Sequence, residues 1–230
     1  MDTAKHVLDN PIWNALMSGN KAFAEGPDTV KVFPREISPL VGLAENTALY
    51  FDKLYPIIPI NSPVVVFAIG ALEIPESWSV LMQIEGYQMV YTGSPLPAME
   101  DVDFVILTDE HIPQMLELTK LTNPGPFSKR TNVLGHFEGV FKDDQLVAMT
   151  GTRLKPYEYV EISAVCTHPD HTGKGYARKL LLRQMHHIIA AGCTPFLHVK
   201  SENSRAIDVY KRLGFEIRKE VSFVVVEKKG

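Results

Sequence analysis

Residues 160–191 read V-E-I-S-A-V-C-T-H-P-D-H-T-G-K-G-Y-A-R-K-L-L-L-R-Q-M-H-H-I-I-A-A, and this stretch decides the fold. Val160, Ile162, Ala164 and Cys166 alternate with Glu161, Ser163, Val165 and Thr167, the period-two pattern of a strand. His168-Pro169-Asp170-His171 ends that strand, because proline fixes its own φ and donates no hydrogen bond. Beyond the glycines, Ala177, Leu181, Met185 and Ile188 recur at helical spacing, and Gly192 stands where a helix C-cap glycine belongs. The order is therefore strand, glycine turn, helix. Such a turn aims the amides of the first helical turn, and the positive end of the helix dipole, at one point in space. An anion fits there, a pyrophosphate above all.

Two common phosphate loops are excluded. Gly173-Lys174-Gly175 offers no Gly-x4-Gly-Lys-Ser/Thr frame, and Arg178 stands where a dinucleotide fingerprint needs its third glycine. Thr172-Gly173-Lys174-Gly175-Tyr176-Ala177 instead resembles [QR]-x-x-G-x-[GA], the acyl-CoA signature of the GNAT acetyltransferase superfamily. Gly175 and Ala177 match it. Thr172 replaces the usual Arg or Gln, which puts one side-chain contact in question and leaves the backbone cradle. A second segment, N-S-R-A-I-D-V-Y-K-R-L-G-F at residues 203–215, matches the later GNAT motif N-x-x-A-x-x-x-Y-x-x-x-G-F without a gap. It follows one strand (residues 195–199) after the first helix. Ala206, Val209, Tyr210 and Leu213 form its apolar stripe, and Gly214 ends its helix. The resemblance covers the chain from about Val102 onward.

The bulk properties are those of an ordinary globular chain. It has 230 residues, 45% hydrophobic and 22% charged, enough for one large or two small domains. Two cysteines, Cys166 and Cys193, make no disulfide framework, so a reducing cytoplasm is the expected compartment. The opening M-D-T-A-K-H-V-L-D-N-P lacks the apolar core of a signal peptide, and no apolar run reaches membrane-spanning length. A net charge of −4 argues against a general nucleic-acid binder. Residues 1–100 carry 5 Lys and Arg against 11 Asp and Glu, whereas residues 101–230 carry 18 against 16. The positive excess thus accompanies the proposed phosphate turn, where Lys174, Arg178, Lys179 and Arg183 share a helix. Lys174 is expected at a coenzyme phosphate or in solvent, and Arg183 on a solvated face.

Ten of the 16 prolines lie in residues 1–100 and shorten the elements there. Residues 29–33 and 63–69 read as strands, 46–54 as a short helix, and 78–91 as a hairpin turning at Glu85-Gly86. Gly93-Ser94-Pro95-Leu96-Pro97-Ala98 reads as a linker. Further on come a strand at 104–107, a helix capped by Asp109 and running to Leu121, a hairpin of 137–141 with 145–154, and strands at 215–219 and 222–227. The fold expected is α/β, a GNAT-like mixed sheet with helices on both faces. The domains are residues 1–97, a smaller α/β unit read as a degenerate GNAT-like copy resembling tandem and glycine N-acyltransferase-like proteins, and 98–230, the acyl-CoA-binding catalytic unit.

The chemistry follows from the acceptor and from the resemblance. A primary amine is protonated near neutrality, so acylation needs a base, a donor for the thioester carbonyl and a partner for the departing thiolate. Family likeness implies Glu161 as base, directly or through a water. The alternative is a solvent-side carboxylate on a half-buried strand. It implies Tyr210 as general acid, although a tyrosine on that stripe is also a normal core aromatic. Coenzyme contacts are expected from the backbone of Val165, Cys166 and Thr167, from Thr172, Gly173, Lys174, Gly175, Tyr176 and Ala177, and from Asn203, which also suits a helix N-cap. Cys166 itself reads as core filler. No metal is expected, since His168 and His171 lack carboxylate or cysteine companions and His186 and His187 point to different sides of a helix. The implied cosubstrate is acetyl-CoA or another acyl-CoA, and the implied partner a small-molecule amine or amino acid, with a homodimer left open. Two other functions remain: an amino-acid N-acyltransferase using a longer acyl-CoA, and a non-catalytic acyl-CoA-binding regulatory module.

Overall fold

A computed structural model describes residues 6–93, 95–99 and 103–230. The first five residues, Ser94 of the linker and Val102 lie outside the described set. Among the described residues ten strands form one mixed sheet in the order β1-β2-β3-β10-β4-β9-β8-β7-β6-β5. In chain order they are β1 (Val30–Val32), β2 (Leu40–Leu43), β3 (Val64–Ala68), β4 (Trp78–Tyr91), β5 (Val105–Ile106), β6 (Phe137–Lys142), β7 (Gln145–Thr152), β8 (Tyr159–Thr167), β9 (Thr194–Lys200) and β10 (Phe215–Lys228). The helices are α1 (Pro11–Met17), α2 (Ala48–Leu54), α3 (Ile112–Thr122), α4 (Tyr176–Ala190) and α5 (Ser204–Arg212).

The fold class agrees with the sequence reading, and side-chain parity along the strands explains the layers. On β3, Val65 and Phe67 pack with Leu8, Ile12 and Leu16 beneath α1. Val64 and Val66 face the other way, onto Phe51 and Leu54 of α2. Farther along, Met115 and Leu118 of α3 meet Phe137, Leu146 and Met149. Leu181, Leu182 and Met185 of α4 meet Ile162, Leu197 and Met89 on the opposite face. Both faces are covered, as expected of a sheet whose central strands are apolar on both sides.

Several sequence expectations need correction. Residues 78–91 are no hairpin but one 14-residue strand, β4. Its Gly86 serves close approach rather than a turn, for a Cβ there would lie 2.6 Å from the Val199 carbonyl oxygen on β9. The two C-terminal strand pieces are likewise one strand, β10, carrying a bulge between Ile217 and Lys219. A short 3₁₀ turn, Asp109–His111, capped by Thr108 rather than Asp109, precedes α3. β2 and α1 had no clear signal in their short, proline-bounded segments.

The most consequential feature is the position of β4 and β10. β10 pairs antiparallel with β3 through Ser222↔Ala68 to Val226↔Val64, and on its other edge with β4 along Phe215↔Tyr91 to Lys228↔Trp78. β4 in turn pairs antiparallel with β9. The boundary drawn at 97/98 therefore divides the chain without dividing the sheet.

Candidate active site

The site is created where β8 leaves β9. The two run parallel only through Tyr159↔Thr194, Val160↔Pro195 and Glu161↔Phe196. From Ile162 onward β8 pairs with β7 alone, while β9 continues along β4 to Lys200. A bulge drives the separation. Gly151↔Ser163 and Met149↔Cys166 are in register, so Ala164 and Val165 together oppose Thr150. Ala164 takes φ +52°, left-handed backbone rare for a residue with a Cβ. The extra residue also reverses side-chain parity. Ile162 packs toward α4, but Ala164 and Cys166 pack toward α3, so the four residues grouped by simple alternation do not share a face.

The opening is a cavity of about 750 Å³. Its walls include Glu161, Val165, Cys166, Thr167, Asn203 and Tyr210 of the expected site. They also include Leu40, Val65 and Ile84 from the first part of the chain, and Phe223 and Val225 from β10. Thr172, Gly173, Lys174, Gly175, Tyr176 and Ala177 are not in that wall. They follow β8 directly, with residues 172–175 exposed. Gly173 and Gly175 take φ +79° and +78°, the conformation for which glycine is suited. Gly175 caps α4, whose opening backbone bond runs from Lys179 N to Gly175 O at 3.1 Å, so the amides before it lie ahead of the helical ladder. The Thr172 hydroxyl donates to Pro169 O at 3.0 Å, and Lys174 Nζ lies 3.2 Å from His171 Nδ1.

Two features of this arrangement suit an extended thioester cosubstrate. The edge of β8 beyond Glu161 is not paired to β9, leaving backbone groups for an added strand-like arm. Thr167 Oγ1, in the cavity wall, is buried without a hydrogen-bond partner. Asn203 behaves as a helix cap, its Oδ1 accepting from Ala206 N at 3.1 Å. Cys166 is buried and its thiol pushed up to about 12 by burial, which suits filler rather than nucleophile.

Glu161 is neither solvent-side nor a free carboxylate. It is 1% exposed, and Arg153 grips it through Nε to Oε2 at 2.8 Å and Nη2 to Oε1 at 2.7 Å. His198 Nδ1 is 2.8 Å from Oε1. Burial alone would raise the Glu161 pKa, but Arg153 and His198 outweigh it and hold the carboxyl at about 2. The sequence reading missed Arg153 and His198, because they reach Glu161 across strands rather than along one. The network continues from His198 Nε2 to Gln88 Nε2 at 3.1 Å, from Gln88 Oε1 to Arg218 Nη1 at 2.8 Å, and from Arg218 to Asp9. Tyr210, 7% exposed, has its hydroxyl pushed up to about 12 by burial. Arg183, expected on a solvated face, is instead bound to Glu138.

Comparison with known proteins agrees with this geometry. The FR47-like protein family matches residues 137–224, which spans the splayed strand and both motifs. A protein of Novosphingobium aromaticivorans described as a GNAT-family acetyltransferase superposes over 98% of this chain and 100% of its own, with TM-score 0.91 and 27% identity. Over its whole length the chain is thus similar to an acetyltransferase of the GNAT family. A GCN5-related N-acetyltransferase from Kribbella flavida shares the fold over 95% of both chains, with TM-score 0.62 and 10% identity. Among curated relatives, mycothiol acetyltransferases of Saccharopolyspora erythraea and Mycolicibacterium smegmatis are 34% and 33% identical over 82 and 89 residues, each covering 35% of this chain. Those matches span only 27% and 30% of the relatives' own lengths. Among the described residues no helix is long and apolar enough to cross a membrane.

Proposed function

We propose that this GNAT protein is an N-acyltransferase that moves acetyl from acetyl-CoA directly to a primary amine. The observation that carries the reading is the cleft opened by the Ala164 bulge, with an unpaired β8 edge on one side and Tyr210 on the other. Gly173 to Ala177 hold the diphosphate, the β8 edge at Val165 to Thr167 takes the pantetheine arm, and Asn203 lies alongside. The amine nitrogen attacks the thioester carbonyl carbon, the carbon–sulfur bond breaks, and the sulfur leaves with the electron pair.

A carboxyl at about 2 has little affinity for a proton near neutrality, so Glu161, paired with Arg153, positions the acceptor rather than taking its proton. The acceptor's ammonium gives one proton to water before attack, and the second leaves the nitrogen as the carbon–sulfur bond breaks. Tyr210, at about 12, stays protonated and donates to the departing sulfur. Full transfer to a thiolate with a reference pKa near 8.5 would be uphill by about 5 kcal/mol, so the hydroxyl stabilises the thiolate as a hydrogen-bond donor.

Thiol release from acetyl-CoA, measured over a panel of primary amines and amino acids, tests the assignment. Amine-dependent release supports it. Coenzyme A binding by calorimetry with no release for any acceptor would favour the regulatory-module reading. Release with longer acyl-CoAs and amino acids alone would favour an amino-acid N-acyltransferase.

A further inference from the structure

We propose that His136, Glu138 and His187 form a divalent transition-metal site, suited to Zn²⁺, that clamps α4 to β6 away from the cleft. His136 and Glu138 stand two apart on an extended segment and point to one side, while Arg183 and His187 stand one turn apart on α4. Their polar atoms converge on a single oxygen. Glu138 Oε1 lies 3.4 Å from His136 Nε2 and 3.7 Å from His187 Nε2, and the three atoms are all within 4.8 Å of one another. Tetrahedral zinc with bonds of about 2.0–2.1 Å places its ligand atoms about 3.3 Å apart, so a modest contraction completes the set. Two imidazoles and one carboxylate are a donor set that zinc accepts, with a fourth position for water.

A second observation points to a ligand at this spot. His136 Nε2 is a buried atom that meets Glu138 Oε1 at 3.4 Å without a well-formed hydrogen bond, and Oε1 of the fully buried Gln184 has no hydrogen-bond partner among the described residues. The Gln184 amide nitrogen is 3.4 Å from Glu138 Oε2, which ties this side chain to the same carboxylate. Buried polar atoms are seldom left without partners, and a metal bound at His136 Nε2 would give that atom one.

Arg183 occupies the same oxygen, with Nη2 at 2.6 Å and Nε at 3.0 Å. A guanidinium and a metal cation drawn to one oxygen repel each other, so the arginine competes with the metal. Its side chain is 28% exposed and lies over the Phe104 ring at 4.5 Å, which leaves it a route to solvent. Sequence spacing could not announce the site, because its residues come from separate elements.

Titrating Zn²⁺ into the full chain by calorimetry, with Co²⁺ absorption as a report of tetrahedral coordination, tests the proposal. One saturable site per chain is expected, and Zn²⁺ should raise the thermal midpoint. His187→Gln changes an exposed residue and should weaken binding at least ~10-fold, as should His136→Gln. Arg183→Met, which removes the competing cation, should tighten binding, whereas Arg183→Lys should not. Should Arg183→Met fail to fold, the His187→Gln comparison decides alone. Absence of saturable binding, equal affinity in His187→Gln, or a folded Arg183→Met that binds no tighter would overturn the proposal.

Discussion

Glu161 keeps its charge inside the protein because Arg153 and His198 replace the water it has lost. Its folded pKa of about 2 lies below the ordinary 4.5, so its contribution to stability is present above pH 4.5 and is lost as pH falls from 4.5 toward 2. Acid unfolding followed by far-UV circular dichroism should be steeper in the native protein than in Glu161→Gln over that window. The same substitution strands Arg153 uncompensated, and urea unfolding should show a loss of about 3–5 kcal/mol. On turnover, Tyr210→Phe should lower kcat about 10- to 100-fold and leave acetyl-CoA binding unchanged within a factor of two, since only the donor to the departing sulfur is removed. Unchanged turnover would take Tyr210 out of the mechanism. Tyr210 and Asn203 were legible in the sequence because both lie within one helical motif. Arg153 and His198 were not, because no pattern along a strand reveals which residue faces it from the next.

At the scale of the element, the splay of β8 depends on a bulge that composition concealed. The sequence around Ala164 goes on alternating small, polar and apolar residues, so period-two counting runs past the inserted residue and assigns Ala164 and Cys166 to the wrong face. Glycines misled in a related way. Gly86 looked like a turn, but it stands where β4 and β9 approach too closely for a Cβ. Gly86→Ala should therefore push β9 away and cost about 1–3 kcal/mol in thermal or urea unfolding. Gly175→Ala has open space above it, and its penalty comes from φ +78°, about 1–2 kcal/mol. We expect that variant to raise KM for acetyl-CoA more than it lowers kcat.

At the scale of the whole molecule, fold class and the later motifs were readable, but the way the first part of the chain joins the second was not. Strand pairing between residues far apart leaves no periodic trace, and β4 lies between β9 and β10 although residues 92–193 separate it in sequence from β9. Residues 98–230 expressed alone would leave β9 and the 14-residue β10 without their shared neighbour. That fragment should aggregate or show no cooperative thermal transition, while the full chain melts cooperatively. A well-folded fragment would show that β4 is dispensable.

The placing of β10 between β3 and β4 also governs how the protein is born. A slot waits between two strands already made, and it stays unfilled until residue 228 has cleared the ribosome. Until β10 is made, β3 and β4 each lack the partner they have on that side, so a product truncated before Phe215 would be fit for chaperones or proteases rather than for chemistry.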